Sequence, residues 1–151
     1  MVGLAHKKKI MKTYNLFLDD VRQPADCLTY INNRAYVELK WDVVKTHASF
    51  VKHIEDKWKE GEFPSTVSFD HDLAPEHYHP SMYAGVEAYN SAYQKMEEPT
   101  GRSSAEWLVK FCIENELEMP RCYIHSMNPA GRERIRQTLG DYERFIARTQ
   151  K

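Results

Sequence analysis

The chain reads as an α/β protein, a three-layer sandwich around a short parallel sheet with strand order 2-1-3-4. Two observations predict this. First, apolar runs of strand length alternate with stretches of helical periodicity, which implies parallel strands joined by right-handed crossovers. Second, three runs end alike: Leu16-Phe17-Leu18 leads into Asp19-Asp20, Val67-Ser68-Phe69 into Asp70-His71-Asp72, and Tyr123-Ile124 into His125-Ser126. Sheets of this kind bind ligands beyond the carboxyl ends of their strands. Three apolar-to-polar switches at that position therefore point to one shared site.

The first strand covers Tyr14 to Leu18, followed by a turn at Val21-Arg22-Gln23-Pro24. Residues 25–35 have no period and Asn32-Asn33 marks a turn, so any helix there is short. Tyr36–Lys40 and Trp41–Thr46 compete for the second strand, and the latter is preferred. Phe50, Val51, Ile54 and Trp58 then form one apolar helical face. Gly61 is placed to end that helix and Pro64 to prevent its resumption. The third strand is Val67 to Asp70.

Residues 74–99 carry His77, His79, Tyr78, Tyr83, Tyr89 and Tyr93 without a clear period. A segment this long is either a functional lid or disordered. Its tyrosines favour an inserted, lid-like segment, with part of 84–96 open to helix. His77-x-His79 has a spacing some metal sites use, but two histidines in a Pro-rich loop read as surface residues. Thr100 or Ser103 caps the next helix, whose buried face is Trp107, Leu108, Phe111, Cys112 and Leu117. Pro120 precedes the fourth strand, Arg121 to His125. The last helix starts near Pro129 and turns Ile135, Leu139, Tyr142, Phe145 and Ile146 inward, with Gly140 a candidate break.

At 151 residues, 42% of them hydrophobic, the chain is long enough for one ordinary core. Residues 1–10 read as a disordered extension and 11–151 as a single domain. Lys and Arg (21) nearly balance Asp and Glu (22), which argues against a general nucleic-acid coat. No apolar run approaches the roughly 18 residues of a membrane span. The start places Lys7-Lys8-Lys9 after its apolar residues, the reverse of a secretory signal. Cys27, Cys112 and Cys122 lack metal spacing and fit buried thiols in a reducing cytoplasm.

The strand order sets strands one and three side by side, bringing Asp19-Asp20 next to Asp70-His71-Asp72. Two carboxylates ~4 Å apart repel by about 4 kcal/mol at an effective dielectric near 20. Such crowding is relieved by protonation or by a divalent cation. Magnesium suits an oxygen cage and keeps waters for substrate or nucleophile. Asp19, Asp20, Asp70 and Asp72 are thus candidate ligands; the competing reading has them capping helices or facing solvent. The start of the last helix favours an anion, with Arg132 in its first turn where a phosphate would approach. Arg22 and Ser126 are further candidate phosphate contacts, and Asn128 reads equally as an N-cap or a ligand. A neutral imidazole at a strand end, such as His125, can act as acid or base near pH 7.

Leu16 through Pro24, Ser68 through Leu73, and His125-Ser126-x-Asn128-Pro129-x-Gly131 together resemble the cyclic-phosphate processing receiver-like family, a divergent branch of the response-regulator receiver domain. Thr100-Gly101 and Glu106-Trp107-Leu108 are similar to its third-helix pattern. The resemblance runs from about Tyr14 to Ile135 and does not cover 74–99. It implies a flavodoxin-like fold and processing of cyclic phosphates. Asp19, Asp20, Asp70, His71, Asp72, His125 and Ser126 match its motif positions. An ordinary signalling receiver also needs a Lys at the end of a fifth strand. Here the chain ends in a helix after strand four, so the fifth strand is lacking and phosphorelay is disfavoured.

The expected function is a metal-assisted phosphoesterase that opens a cyclic phosphate on a nucleotide or an RNA 2′,3′-cyclic end. Asp19, Asp20 and Asp70 would hold Mg²⁺ or Mn²⁺. His71 or His125 would deliver the proton to the leaving alkoxide, and Asp72 would complete the metal shell or fix a histidine tautomer. The alternatives are a non-catalytic receiver-like module that binds through residues 74–99, and an atypical receiver phosphorylated on Asp70 or Asp72.

Overall fold

A computed structural model describes residues 10–78 and 99–149 of the chain. Four parallel strands form one sheet in the order β2-β1-β3-β4, as the alternation of elements predicts. They are β1 (Lys12–Leu18), β2 (Trp41–Val44), β3 (Glu62–Phe69) and β4 (Arg121–Ile124). Leu18 lies level with Val44 on one side and Phe69 on the other, and Phe69 lies level with Ile124. The next residue of each strand continues the ladder. Asp19 N–H bonds Val44 O, Asp70 N–H bonds Leu18 O, and His125 N–H bonds Phe69 O, at 2.9 to 3.0 Å. The register alone therefore sets Asp19, Asp70 and His125 in one row.

Alternation along the strands divides the core in two. Leu16, Leu18, Val67 and Phe69 pack against Phe50 and Ile54 of α2 (His47–Lys59), Leu108 and Cys112 of α3 (Gly101–Glu114), and Ile135 of α4 (Pro129–Thr149). On the other face Phe17 packs with Cys27 and Tyr36, which come from a 3₁₀ turn (Pro24–Thr29) and the single-turn helix α1 (Ala35–Glu38). The result is the flavodoxin-like three-layer arrangement, with no fifth strand among the described residues.

Local chemistry sets the element ends. Thr46 caps α2 by accepting the Ser49 N–H at 3.0 Å, and the Ser49 hydroxyl accepts the Thr46 N–H in return. Of the two residues proposed to cap α3, Thr100 does so, accepting from Arg102 N. Trp41 begins β2 as preferred, while the competing stretch contributes Tyr36 to a helical turn instead. β3 is longer than its apolar run suggests and contains Pro64. The proline is tolerated there because its β1 partner, Tyr14, borders a register shift before Asn15. α4 runs unbroken through Gly140. A single glycine costs about 1 kcal/mol in a helix, and Leu139 and Tyr142 on either side pack against the core.

Pro75–Tyr78 form a 3₁₀ turn. His77 is fully buried rather than on the surface, and its Nδ1 accepts the Leu73 N–H at 2.7 Å. The rest of the segment read as a lid, including His79 and the stretch open to helix, lies outside the described residues, as does nearly all of the N-terminal extension. Among the described residues no helix is long and apolar enough to cross a membrane.

Candidate metal centre and its surroundings

Asp19, Asp70 and His125 each offer one ligand atom, and those atoms lie within 4.8 Å of one another. The three residues are 0%, 1% and 0% exposed, so their charges are settled against one another rather than by water. Asp19 Oδ1 accepts the N–H groups of Val21 and Arg22, both at 2.9 Å. Its Oδ2 faces His125 Nε2 at 3.1 Å and Arg22 Nη1 at 3.4 Å. Burial alone pushes the Asp19 carboxyl up, and the bonds from His125, Arg22 and Val21 more than reverse this, holding it below its ordinary value.

Asp70 is the opposite case. Its Oδ1 accepts the His71 N–H at 2.9 Å, but Oδ2 is buried with no hydrogen-bond partner among the described residues. Burial, then the neighbouring charge of Asp19, pushes its carboxyl up to about 8. Without an ion Asp70 therefore holds a proton at neutral pH while Asp19 is charged. An orphaned carboxylate oxygen beside a second carboxylate and an imidazole is a donor set that suits a divalent cation. Arg22, with its side chain 22% exposed, sits 3.4 Å from Asp19 and 3.8 Å from Asp70 and supplies positive charge there.

His125 is held from every side. Its Nδ1 lies 2.6 Å from the Ser68 hydroxyl, which lies 2.8 Å from the Tyr36 hydroxyl. Tyr30 donates its hydroxyl to the His125 carbonyl at 2.7 Å, and Phe17 stacks on the ring at 4.3 Å. Burial lowers the imidazole's affinity for a proton against the pull of Asp19, which leaves the ring neutral. A neutral ring has one donor and one acceptor. Because Asp19 accepts, Nε2 carries the hydrogen; Nδ1 then accepts from Ser68, and Ser68 accepts from Tyr36. The proton order along Tyr36–Ser68–His125–Asp19 is thereby fixed.

His71 belongs to a second chain of bonds. Its Nδ1 lies 2.9 Å from Asp72 Oδ1, and the Asn128 amide reaches both Asp72 oxygens at 3.4 Å. Asn128 Oδ1 accepts the Gly131 N–H at 3.0 Å, so Asn128 caps α4 and its NH₂ is turned toward Asp72. Burial again favours the neutral imidazole, against the opposing bond from Asp72. The Gly101 N–H donates to the His71 carbonyl at 2.8 Å, tying the start of α3 to this turn.

Of the four aspartates expected around an ion, Asp19 and Asp70 stand in the three-ligand group, joined by His125. Asp72 lies outside that group and holds His71, the tautomer-fixing role among its two expected ones. Asp20 is half-buried on the following turn and also lies outside the group. Arg22 reaches the acidic pair, and Ser126 is buried, its hydroxyl accepting the Asn128 N–H at 3.1 Å. Arg132 is exposed and lines a groove beside β4. Sequence reasoning missed Ser68, Tyr36, Tyr30 and Phe17. Ser68 alone had a signal, as a hydroxyl between Val67 and Phe69 in a central strand, where each buried polar group needs a partner.

A family model described as the cyclic-phosphate processing receiver domain matches residues 14–141. No curated protein and no solved structure matches the chain.

Proposed function

The chain belongs to the cyclic-phosphate processing receiver family, and from that premise we propose that it is a metal-assisted phosphoesterase opening the cyclic phosphate of a nucleotide or an RNA 2′,3′-cyclic end. The observation that carries this reading is the buried, unpartnered Asp70 Oδ2 beside Asp19 and His125. These three residues would hold Mg²⁺ or Mn²⁺, with Asp20 on the adjoining turn close enough in sequence to complete the shell. The ion would supply charge for the phosphoryl oxygens and an acidified water.

The chain's own groups have separable tasks. Arg22 neutralises the acidic pair in the free protein and is available to the substrate phosphate once that charge is met another way. Ser126 and the first turn of α4 orient the phosphate. His71, neutral and held by Asp72 through Nδ1, is assigned the proton. It takes one from the attacking water as the new P–O bond forms and returns it to the ribose oxygen as the ring P–O bond breaks. Asp72 and Asn128 keep that ring in one tautomer. Free thiols at Cys27, Cys112 and Cys122 suit work in a reducing cytoplasm.

A second reading, a receiver-like module that binds without reacting, is favoured by the near-complete burial of Asp19, Asp70 and His125. One experiment separates the two. Nucleoside 2′,3′-cyclic phosphates and RNAs ending in them are incubated with Mg²⁺, Mn²⁺ or a chelator, using the wild type, Asp70→Asn and His125→Ala. The enzyme reading expects a phosphomonoester product that disappears with the chelator and in both variants. Absence of product under every metal would favour the binding module, and turnover indifferent to chelator and to both variants would overturn the metal centre.

A further inference from the structure

A groove of about 400 Å³ runs along the outer edge of β4, which no strand pairs among the described residues, bounded by Arg132, Arg136 and Leu139 of α4 on one side and by Asn33 and Tyr36 on the other. Tyr123 forms part of its floor. Its chemistry is one-sided. Among the described residues no acidic side chain lines it, whereas Glu118 and Glu143 line a neighbouring groove and Glu116 and Glu118 another. Arg132 has no ion-pair partner among the described residues, and Arg136 pairs with Glu133 on the exposed helix surface at 2.7 Å. Arg132, Arg136 and Leu139 share one helix face because they are spaced four and three apart. Asn33 spends its carbonyl oxygen on the Ala35 N–H at 3.0 Å, which leaves its NH₂ as a donor.

The strand edge adds more donors. His125 N–H is directed to β3, so by alternation the backbone groups of Ile124 and Cys122 point away from β3, toward the groove. The groove also adjoins the candidate site. The Tyr36 hydroxyl is 2.8 Å from Ser68, which is 2.6 Å from His125, and Arg132 follows the α4 cap by one turn, its N–H bonding Asn128 O at 2.8 Å.

We infer that this groove binds the sugar–phosphate chain of an RNA whose 3′ end enters the metal centre. Arg132 and Arg136 would each meet a phosphate, and the Asn33 amide and strand-edge N–H groups would meet sugar and phosphate oxygens. The inference rests on the phosphoesterase reading for its direction: an RNA end in the site needs donors for the phosphates before it, and this groove, one α4 turn beyond Asn128, supplies them. The substrate class is then an RNA end rather than a free mononucleotide.

The test measures binding and requires no turnover. A fluorescent single-stranded RNA ending in an ordinary 3′-hydroxyl is titrated with the full chain across a salt series, comparing wild type, Arg132→Glu/Arg136→Glu and Arg132→Lys/Arg136→Lys. Each phosphate contact contributes about 0.7 to the salt slope for a single strand. The Glu pair is expected to weaken binding at least ~10-fold and to lower the slope by about 1.4, while the Lys pair keeps the slope. Equal affinity and slope in wild type and the Glu pair would overturn the groove, as would displacement of the RNA by an equal concentration of a poly-glutamate peptide. A chain inert toward cyclic phosphates that still passes this test would discard the enzyme reading and keep the groove.

Discussion

Gly131 stands directly against His71: a Cβ built on it would lie 2.4 Å from Cγ of the imidazole. The first turn of α4 thus presses on the side chain whose tautomer Asp72 and Asn128 define. Gly131→Ala must displace either the helix start or the ring. We expect a loss of roughly 1–3 kcal/mol, as for overpacking elsewhere, with turnover falling further than stability predicts. At Gly101 a Cβ would lie 1.7 Å from the Asp70 carbonyl oxygen. Backbone cannot swing aside as an imidazole can, so Gly101→Ala is expected to be the more damaging of the two in urea unfolding. The reverse ranking would show that the α3 cap is free to slide away from the Asp70 turn.

The two central carboxyls give stability a pH dependence of opposite signs. Asp70, raised to about 8 in the folded protein, retains a proton there that the unfolded chain loses near pH 4. Between those values the folded state binds more protons, so stability falls as pH rises, by about 1.4 kcal/mol per pH unit if Asp70 acts alone. Asp19, held low, contributes stability above its unfolded value that is lost as pH drops through its folded value. Asp70→Asn should flatten the decline between pH 4 and 8 and leave the acid limb in place. An ion entering the site must expel the Asp70 proton, so Mg²⁺ or Mn²⁺ titration at pH 7 should release close to one proton per ion, fading above pH 8. Calorimetry in buffers of different ionisation enthalpy reads this directly, and ion binding with a value near zero at pH 7 would mean that Asp70 is not a protonated ligand in the free protein.

Ser68 and Tyr36 make a prediction about tautomers. In the ion-free protein the His125 hydrogen belongs on Nε2, facing Asp19, because Ser68 supplies one to Nδ1. Nitrogen shifts of His125 should report that tautomer in the wild type. Ser68→Ala leaves Nδ1 and the Tyr36 hydroxyl without their partner at a cost of about 1–3 kcal/mol. It should also reduce divalent-ion affinity ~10- to 100-fold, the usual effect of losing a group that orients a ligand. Tyr36→Phe should act in the same direction more weakly, and Ser68→Thr should restore affinity. Wild-type affinity and tautomer in Ser68→Ala would remove the relay from the argument.

What the sequence made legible was the row of strand ends, because apolar runs of strand length and the residues that stop them are local features. Strand order followed from the alternation of elements, and with it the adjacency of Asp19 and Asp70. The ligand set was harder to see. Asp20 and Asp72 are chemically equal to Asp19 and Asp70 on paper, yet they lie one and two residues further along, on turns past the strand ends where alternation no longer sets direction. Asp72 therefore meets His71 and Asn128 instead. The support of His125 could not be read at all beyond Ser68, since Tyr30 reaches it from a stretch without period and Tyr36 from a run that competed for the second strand, where packing on Phe17 rather than local propensity sets the conformation. Pro64 keeps the helix from resuming, as read, but its place inside β3 was hidden, because the register shift beside it that tolerates a proline is a tertiary feature.

Arg22 allows the two roles assigned to it to be separated by sign. It lies 3.4 Å from Asp19 and 3.8 Å from Asp70, with its guanidinium 5.4 Å from the Tyr30 ring centroid. As a counter-charge it competes with any cation for the same oxygens; as a phosphate contact it aids substrate. Arg22→Gln removes both effects. At pH above 8, where Asp70 no longer needs to lose a proton, divalent-ion affinity should rise several-fold, while KM for a cyclic-phosphate substrate should rise by about tenfold, the loss of one charge-assisted contact. A purely structural Arg22 would instead lower ion affinity and thermal stability together. Ion affinity by calorimetry, set beside KM at saturating metal, distinguishes these outcomes, and a fall in ion affinity with KM unchanged would remove Arg22 from the substrate's side of the site.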